Sequence, residues 1–240
     1  MPQSYFQFKQ FTVQQDQAAM KVTTDACLFG AWVAEKVQRE GLPVQRALDI
    51  GAGTGLLMLQ LAQQSTAIIE GIEVDSGAYR QATENCLASP WAERLHLYHG
   101  DMREYPLPHT YDLILSNPPF YEQSLLSPDR SRNLALHDAG LRVEELSRVA
   151  AEWINPGGHL AVLLPHFRSG KWQETAATAG WFVREWVQVR PREGKPFFRS
   201  MCWMGREAVE AVKQEIVIAD AAGNYTTDFI RLLQPYYLYL

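Results

Sequence analysis

Asp49-Ile50-Gly51-Ala52-Gly53-Thr54-Gly55 stands between a short apolar run and an apolar stretch with helical periodicity. Glycines at such a junction let the chain turn sharply and bring its backbone close to a ligand. The dinucleotide-binding spacing GxGxxG would need its third glycine at position 56, which is Leu56, so the pattern here is GxGxG. The acid two residues ahead of Gly51, Asp49, would repel a pyrophosphate at the helix start but would pair with a ligand ammonium. Glu73 ends the next apolar run, 18 residues beyond Gly55, where an acid accepts hydrogen bonds from ribose hydroxyls. A third acid, Asp101, follows the run after that, in His99-Gly100-Asp101. Together the three acids fit a ligand with an ammonium, a ribose and a base, but no phosphate.

A second constellation, Asn117-Pro118-Pro119-Phe120, closes the apolar run YDLILSN at 111–117. Two prolines remove two N–H donors and stiffen the chain, which leaves the Pro118 carbonyl available as an acceptor. The Asn117 side-chain oxygen is another. Two fixed acceptors beside a planar ring, Phe120, make a receptor for an –NH2 group on a flat substrate. Elsewhere the same tetrapeptide would be no more than a strand terminator; after a loop of the kind above it reads as the substrate half of a site.

These residues need a scaffold, and the hydrophobic periodicity supplies one. Residues 25–38 read as an amphipathic helix with Asp25 as a cap. Strands at 46–51, 67–74, 94–100, 111–117 and 157–165 alternate with helices at 56–64, 76–88, 141–154 and 168–179. The pattern then changes: 181–190 and 197–205 are rich in aromatic and β-branched residues and joined by PREGKP, a link short enough to require antiparallel strands. A strand at 212–220 and a partly helical end complete the chain. The expected fold is α/β, a mostly parallel, doubly wound sheet with a C-terminal antiparallel hairpin. Residues 1–240 read as one domain: an N-terminal cover segment over 1–40, a ligand-binding core over 46–165 and a hairpin region over 168–220. In such a sheet ligands bind outside the carboxyl ends of the strands, where Asp49, Glu73, Asp101 and Asn117 all fall.

Composition narrows the classes. In 240 residues, 47% hydrophobic and 20% charged, no apolar run approaches the roughly 18 residues of a membrane span, and the first residues lack a secretory pattern. A cytoplasmic protein with no membrane partner is expected. Three widely spaced cysteines and six histidines without metal-ligand spacing give no disulfide framework and no expected metal site. The net charge of −5 hides an asymmetry, since residues 168–213 carry nine basic and five acidic side chains, net +4, leaving −9 elsewhere. On its own that basicity is a solvated face.

S-adenosylmethionine has the ammonium, ribose and base that the three acids call for. DxGxGxG at 49–55, Glu73 and Asp101 resemble the nucleoside-binding half of class I methyltransferases, and Asn117-Pro118-Pro119-Phe120 resembles the (D/N)PP(Y/F) motif of enzymes that methylate exocyclic or amide nitrogens. The stretches at 8–32, 48–57 and 89–95 and the ending NYTTDFIRLLQPYYLYL are similar to the bacterial valine-tRNA adenine-N6 methyltransferases, in one register from about residue 8 onward. The resemblance implies direct methyl transfer to an adenine amine of tRNA next to the anticodon. It assigns Asp49, Gly51, Gly53, Gly55, Glu73, Asp101, Asn117 and Thr23 to the donor. Asn117 and Pro118 orient the target amine, and Phe120 stacks on the target base. It also implies that Lys21 and Asp25 line the donor's methionine end beside Thr23; with tRNA as the substrate the clustered basic residues gain a use, and Arg130, Arg192, Lys195 and Arg199 are expected to hold RNA phosphates. Many relatives carry Tyr where this chain has Phe120, so stacking survives but a hydroxyl contact does not. The alternatives are another amine, guanine N2 in rRNA or a protein glutamine, and a donor-binding RNA-interaction protein without catalysis. A monomer is favoured.

Overall fold

Arg46-Ala47-Leu48-Asp49-Ile50 carries apolar residues on both faces, as a strand between two helical layers requires. In the computed structural model, which describes residues 4–18, 20–118 and 143–240, it is the middle one of five neighbouring parallel strands. A small hairpin, β1 (Tyr5–Gln7) and β2 (Thr12–Gln14), comes first, followed by α1 (Thr24–Arg39). Then come β3 (Arg46–Ile50), α2 (Leu56–Gln64), β4 (Ile68–Glu73), α3 (Ser76–Leu87), β5 (Leu95–His99) and β6 (Tyr111–Ser116). Beyond the gap follow α4 (Val143–Trp153), β7 (Ile154–Pro165), α5 (His166–Thr178), β8 (Phe182–Arg190), β9 (Arg199–Gly205), β10 (Val212–Val217) and α6 (Thr227–Leu233).

The large sheet has the order β10-β8-β9-β7-β6-β3-β4-β5. Strands β7, β6, β3, β4 and β5 run parallel, and β9 lies antiparallel between β7 and β8. This is the expected fold class. Two features were not expected: the separate β1–β2 hairpin, and the parallel pairing of β10 with β8 at the sheet edge. β7 also starts three residues earlier than the glycines at 157–158 imply, because Ile154 pairs with Tyr111 ahead of a register shift.

Two apolar layers flank the sheet. One packs α1, α2 and α6 around Leu28, Phe29, Met58, Leu61 and Phe229, and the other packs α4 and α5 around Leu146, Trp172 and Trp181. Chain order reverses between β3 and β6, since β4 and β5 build outward on one side and β7 on the other. A crevice opens at the carboxyl ends of strands at such a switch point. Among the described residues no helix is long and apolar enough to cross a membrane.

Candidate active site

The switch point brings the two constellations side by side. Ile50 of β3 pairs with Ser116 of β6, and the Ser116 hydroxyl donates to the Ile50 carbonyl at 2.8 Å. The next residues, Gly51 and Asn117, therefore leave the sheet together. Gly51, Gly53 and Gly55 have φ of 77°, 58° and 78°, the left-handed region that side chains with a Cβ avoid. A Cβ at Gly51 would meet nothing within 4 Å, so the strain is in the backbone and the space above is open. A Cβ at Gly55 would make ordinary contacts with Ala82 and Cys86 of α3, so there too it is the backbone conformation that calls for glycine.

Glu73 organises the loop. Its Oε2 accepts from the Gly53 N–H at 2.9 Å and its Oε1 from the Asp75 N–H at 2.9 Å, while its carbonyl accepts from the Gly100 N–H at 3.0 Å. The ends of β3, β4 and β5 are thus laced together by one residue. Val74, immediately after it, is 52% exposed, an apolar surface beside the acid that sequence reasoning did not single out.

Asp49 lies beneath the loop with 0% exposure, and neither carboxylate oxygen has a hydrogen-bond partner among the described residues. Burial, and then the charge of Glu73, push its carboxyl up to about 8. Buried polar groups in native proteins are almost always satisfied, so an orphaned carboxylate under an open glycine turn is a partner position waiting for a cation. The residues therefore fit the ammonium of S-adenosylmethionine. Asp101 follows β5 as expected, but Arg103 already holds it, with Nε 2.9 Å from Oδ1 and 3.0 Å from Oδ2. That guanidinium keeps the Asp101 carboxyl below the usual carboxylate range.

The chain is 39% identical to the tRNA1(Val) (adenine(37)-N6)-methyltransferase of Yersinia pestis strain Pestoides F over 237 residues, covering 97% of this chain and 93% of the relative. It belongs to that methyltransferase family. The same identity holds against the enzyme of that name from Yersinia pseudotuberculosis serotype O:3 strain YPIII, with 97% and 92% coverage. Residues 31–171 match the methyltransferase small domain. The fold is that of class I methyltransferases. A predicted O-methyltransferase, Atu636 of Agrobacterium tumefaciens, superposes with a TM-score of 0.63 at 18% identity, over 88% of this chain and 96% of that one. A putative class I S-adenosylmethionine-dependent methyltransferase of Listeria monocytogenes gives 0.60 at 16% identity, over 92% and 71%.

Within this methyltransferase the other assigned residues sit as follows. Asn117 is half-buried at the end of β6 and Pro118 is buried; Pro119, Phe120 and Arg130 lie outside the described residues. Thr23 is the N-cap of α1, accepting from the Ala26 N–H at 3.4 Å, and Asp25 is paired with Arg199 at 2.6 Å. Lys21 donates to the Ala18 and Gln15 carbonyls. Among the described residues no hydrogen bond joins these groups to Asp49 or the glycine loop. Arg192 and Lys195 are exposed in the turn between β8 and β9.

Sequence reasoning missed the residue that ties the cover segment to the loop. Asn85 of α3 is 2% exposed. It donates to the Gln14 carbonyl at 2.8 Å and the Thr54 carbonyl at 2.9 Å, and accepts from the Gln14 N–H at 2.9 Å. One turn earlier, Gln81 accepts from the Gln17 N–H at 2.9 Å. Two polar residues four apart on the buried face of an amphipathic helix were the available signal. Asn85→Ala removes the side-chain partner of one buried and two partly buried backbone groups, a cost of about 1–3 kcal/mol for each group that finds no water. The expected result is donor binding weakened several-fold with the loop loosened, read by calorimetry against wild type; unchanged donor affinity would refute the coupling.

Proposed function

We propose that this chain transfers a methyl group from S-adenosylmethionine to the exocyclic N6 of an adenine in tRNA, the adenine next to the anticodon of a valine tRNA. The observation that carries the reading is Asn117-Pro118 leaving the sheet beside Gly51, at the same strand ends as the orphaned Asp49, in a chain 39% identical to enzymes of that name over nearly its whole length.

The bound donor supplies an electrophilic methyl group on a positively charged sulfur. Asp49 holds its ammonium, Glu73 its ribose hydroxyls, and Asp101 its adenine edge beside Val74. The chain's own work is then on the acceptor. An adenine amine has its lone pair drawn into the ring. The Asn117 side-chain oxygen and the Pro118 carbonyl accept its two hydrogens, which favours a tetrahedral nitrogen carrying positive charge. That is electrostatic stabilisation by preorganised dipoles, stronger in the transition state than in the ground state. Holding nitrogen and methyl carbon in line supplies the remainder, so no side chain has to remove a proton before the new bond forms. Phe120 stacks on the target base by motif alone. In this reading the chain works as one domain, with residues 46–165 holding the donor and 1–40 covering it, and it acts in the cytoplasm, where its tRNA is.

The test incubates purified protein with labelled donor and tRNA from a strain lacking the gene. Label recovered as N6-methyladenosine after nuclease digestion supports the reading, and mass spectrometry of fragments locates the nucleotide. Label at guanine, or label surviving nuclease on protein, would assign a different amine. Donor binding without transfer to any RNA would make the chain a non-catalytic binder.

A further inference from the structure

The geometry points to a docking strip for the single-stranded RNA flanking the target base, formed where β7 turns into α5 and where β8 turns into β9. Its elements are the exposed ring of Phe167, the ring of Phe197, and the cations Arg168, Arg192 and Lys195. The inference rests on the tRNA reading and deepens it.

Register places both turns on the active edge of the sheet. Ser116 pairs with Val162, and β7 continues past that level to Pro165, which pairs with Arg199 at the start of β9. Strands lie about 4.8 Å apart and rise about 3.3 Å per residue, which puts the first turn of α5 within about 15 Å of Asn117. That is the reach of a neighbouring loop nucleotide.

The side chains there are of two kinds. Phe167 is 69% exposed, with the Arg168 guanidinium 5.4 Å from its ring centre. Phe197 lies in the second turn, with the Arg190 guanidinium 3.6 Å above its ring and the His166 ring 5.0 Å away. Arg190 is itself fixed, donating to Glu215 at 2.5 Å and to the Lys195 carbonyl at 2.6 Å, so it stiffens the turn that presents Lys195. Arg199 is committed to Asp25, 174 residues away in sequence, and ties the same turn to the start of α1. Arg168, Arg192 and Lys195, in contrast, form no ion pair among the described residues.

A phenylalanine left two-thirds exposed beside unpaired cations gains nothing from solvent. It is what an unstacked base needs, because every base has a π-face and aromatic platforms backed by phosphate-binding cations hold single strands without sequence readout. The occupant is RNA on charge complementarity: the chain as a whole is −5, yet this strip is cationic. The one acid in the second turn, Glu193, accepts from the Ala221 N–H.

The experiment measures tRNA affinity, donor affinity and transfer for wild type, Phe167→Ala, Phe197→Ala and their aromatic replacements Phe167→Tyr and Phe197→Trp. Each alanine variant should bind tRNA about ten-fold more weakly, the loss of one base stack. Donor affinity should stay unchanged, and the aromatic variants should restore binding. Lys195→Ala should flatten the dependence of log Kd on log salt by about 0.7, one phosphate contact on a single strand. Phe167 is exposed, so its variant folds whatever happens to Phe197→Ala and carries the test alone if need be. If both alanine variants bind tRNA within two-fold of wild type while wild type methylates it, the strip is wrong and the function stands. If the alanine variants instead lose an acidic protein partner and keep tRNA, the strip belongs to that partner and the inference also fails. If wild type neither binds nor methylates tRNA, the underlying reading has failed.

Discussion

Asn117→Ala is expected to lower the rate of methyl transfer about 10²–10³-fold, the usual loss when one preorganised group is removed from a developing charge, while donor affinity stays within a few-fold of wild type. The split follows from position. Asn117 stands at the end of β6, half-buried, one residue past the Ile50–Ser116 pair, and among the described residues its amide makes no hydrogen bond. Alanine therefore breaks no internal contact seen there, and the fold, carried by the apolar runs of β3 and β6, is untouched. What is lost, on the proposed function, is one of two acceptors for the target amine. Asn117→Asp keeps an oxygen at the same point and should retain more transfer than alanine, which a simple packing defect would not produce. Single-turnover kinetics with saturating donor, together with calorimetric donor titration, decide the matter. Wild-type transfer by the alanine variant, or a donor affinity that collapses with the rate, would strip Asn117 of its role toward the amine.

Much of this candidate site is legible in the sequence, because it is encoded locally. GxGxG between a strand and a helix announces positive φ, and all three glycines adopt it. The alternation of apolar runs and helical periods places Asp49, Glu73, Asp101 and Asn117 at strand ends, since each run stops where its apolar residues stop. Non-local choices were not legible. The β10 run Val212–Val217 is mostly exposed, and its pattern does not say which strand it will flank or in which direction. The N-terminal hairpin and the residues that follow it are held by Asn85 at Gln14 and Gln81 at Gln17, 71 and 64 residues away. The composition of the hairpin region shows its cations but not their partners; only the fold reveals that Arg199 is spent on Asp25 while Arg192 and Lys195 are not. The burial of Asp49 was hidden for the same reason, for an acid beside a glycine loop looks like a surface residue until the helical layer on the Ala47 face of β3 closes over it.

That burial makes Asp49→Asn the sharpest test of the donor site, because it moves affinity and stability in opposite directions. Removing one partner of a buried ion pair costs about 3–5 kcal/mol, so donor affinity should fall at least 10²-fold. The unliganded protein should respond the other way. In the unfolded chain an aspartate titrates near 3.8; in the folded protein burial and Glu73 raise the Asp49 value to about 8. Below pH 4 the group is protonated in both states and has no effect on folding. Between pH 4 and 8 the unfolded chain releases the proton while the folded one retains it, so wild-type stability declines across this window, by a total on the order of several kcal/mol. An amide does not titrate, and the variant's melting temperature should therefore gain on wild type steadily from pH 5 to pH 8. The same proton must leave when a ligand ammonium arrives. Wild-type donor binding should accordingly release a proton near neutral pH, detectable by calorimetry in buffers of different ionisation enthalpy, and the variant should release none through this group. A variant with undiminished donor affinity, or melting curves that run parallel across the window, would place the donor's ammonium somewhere other than over Asp49.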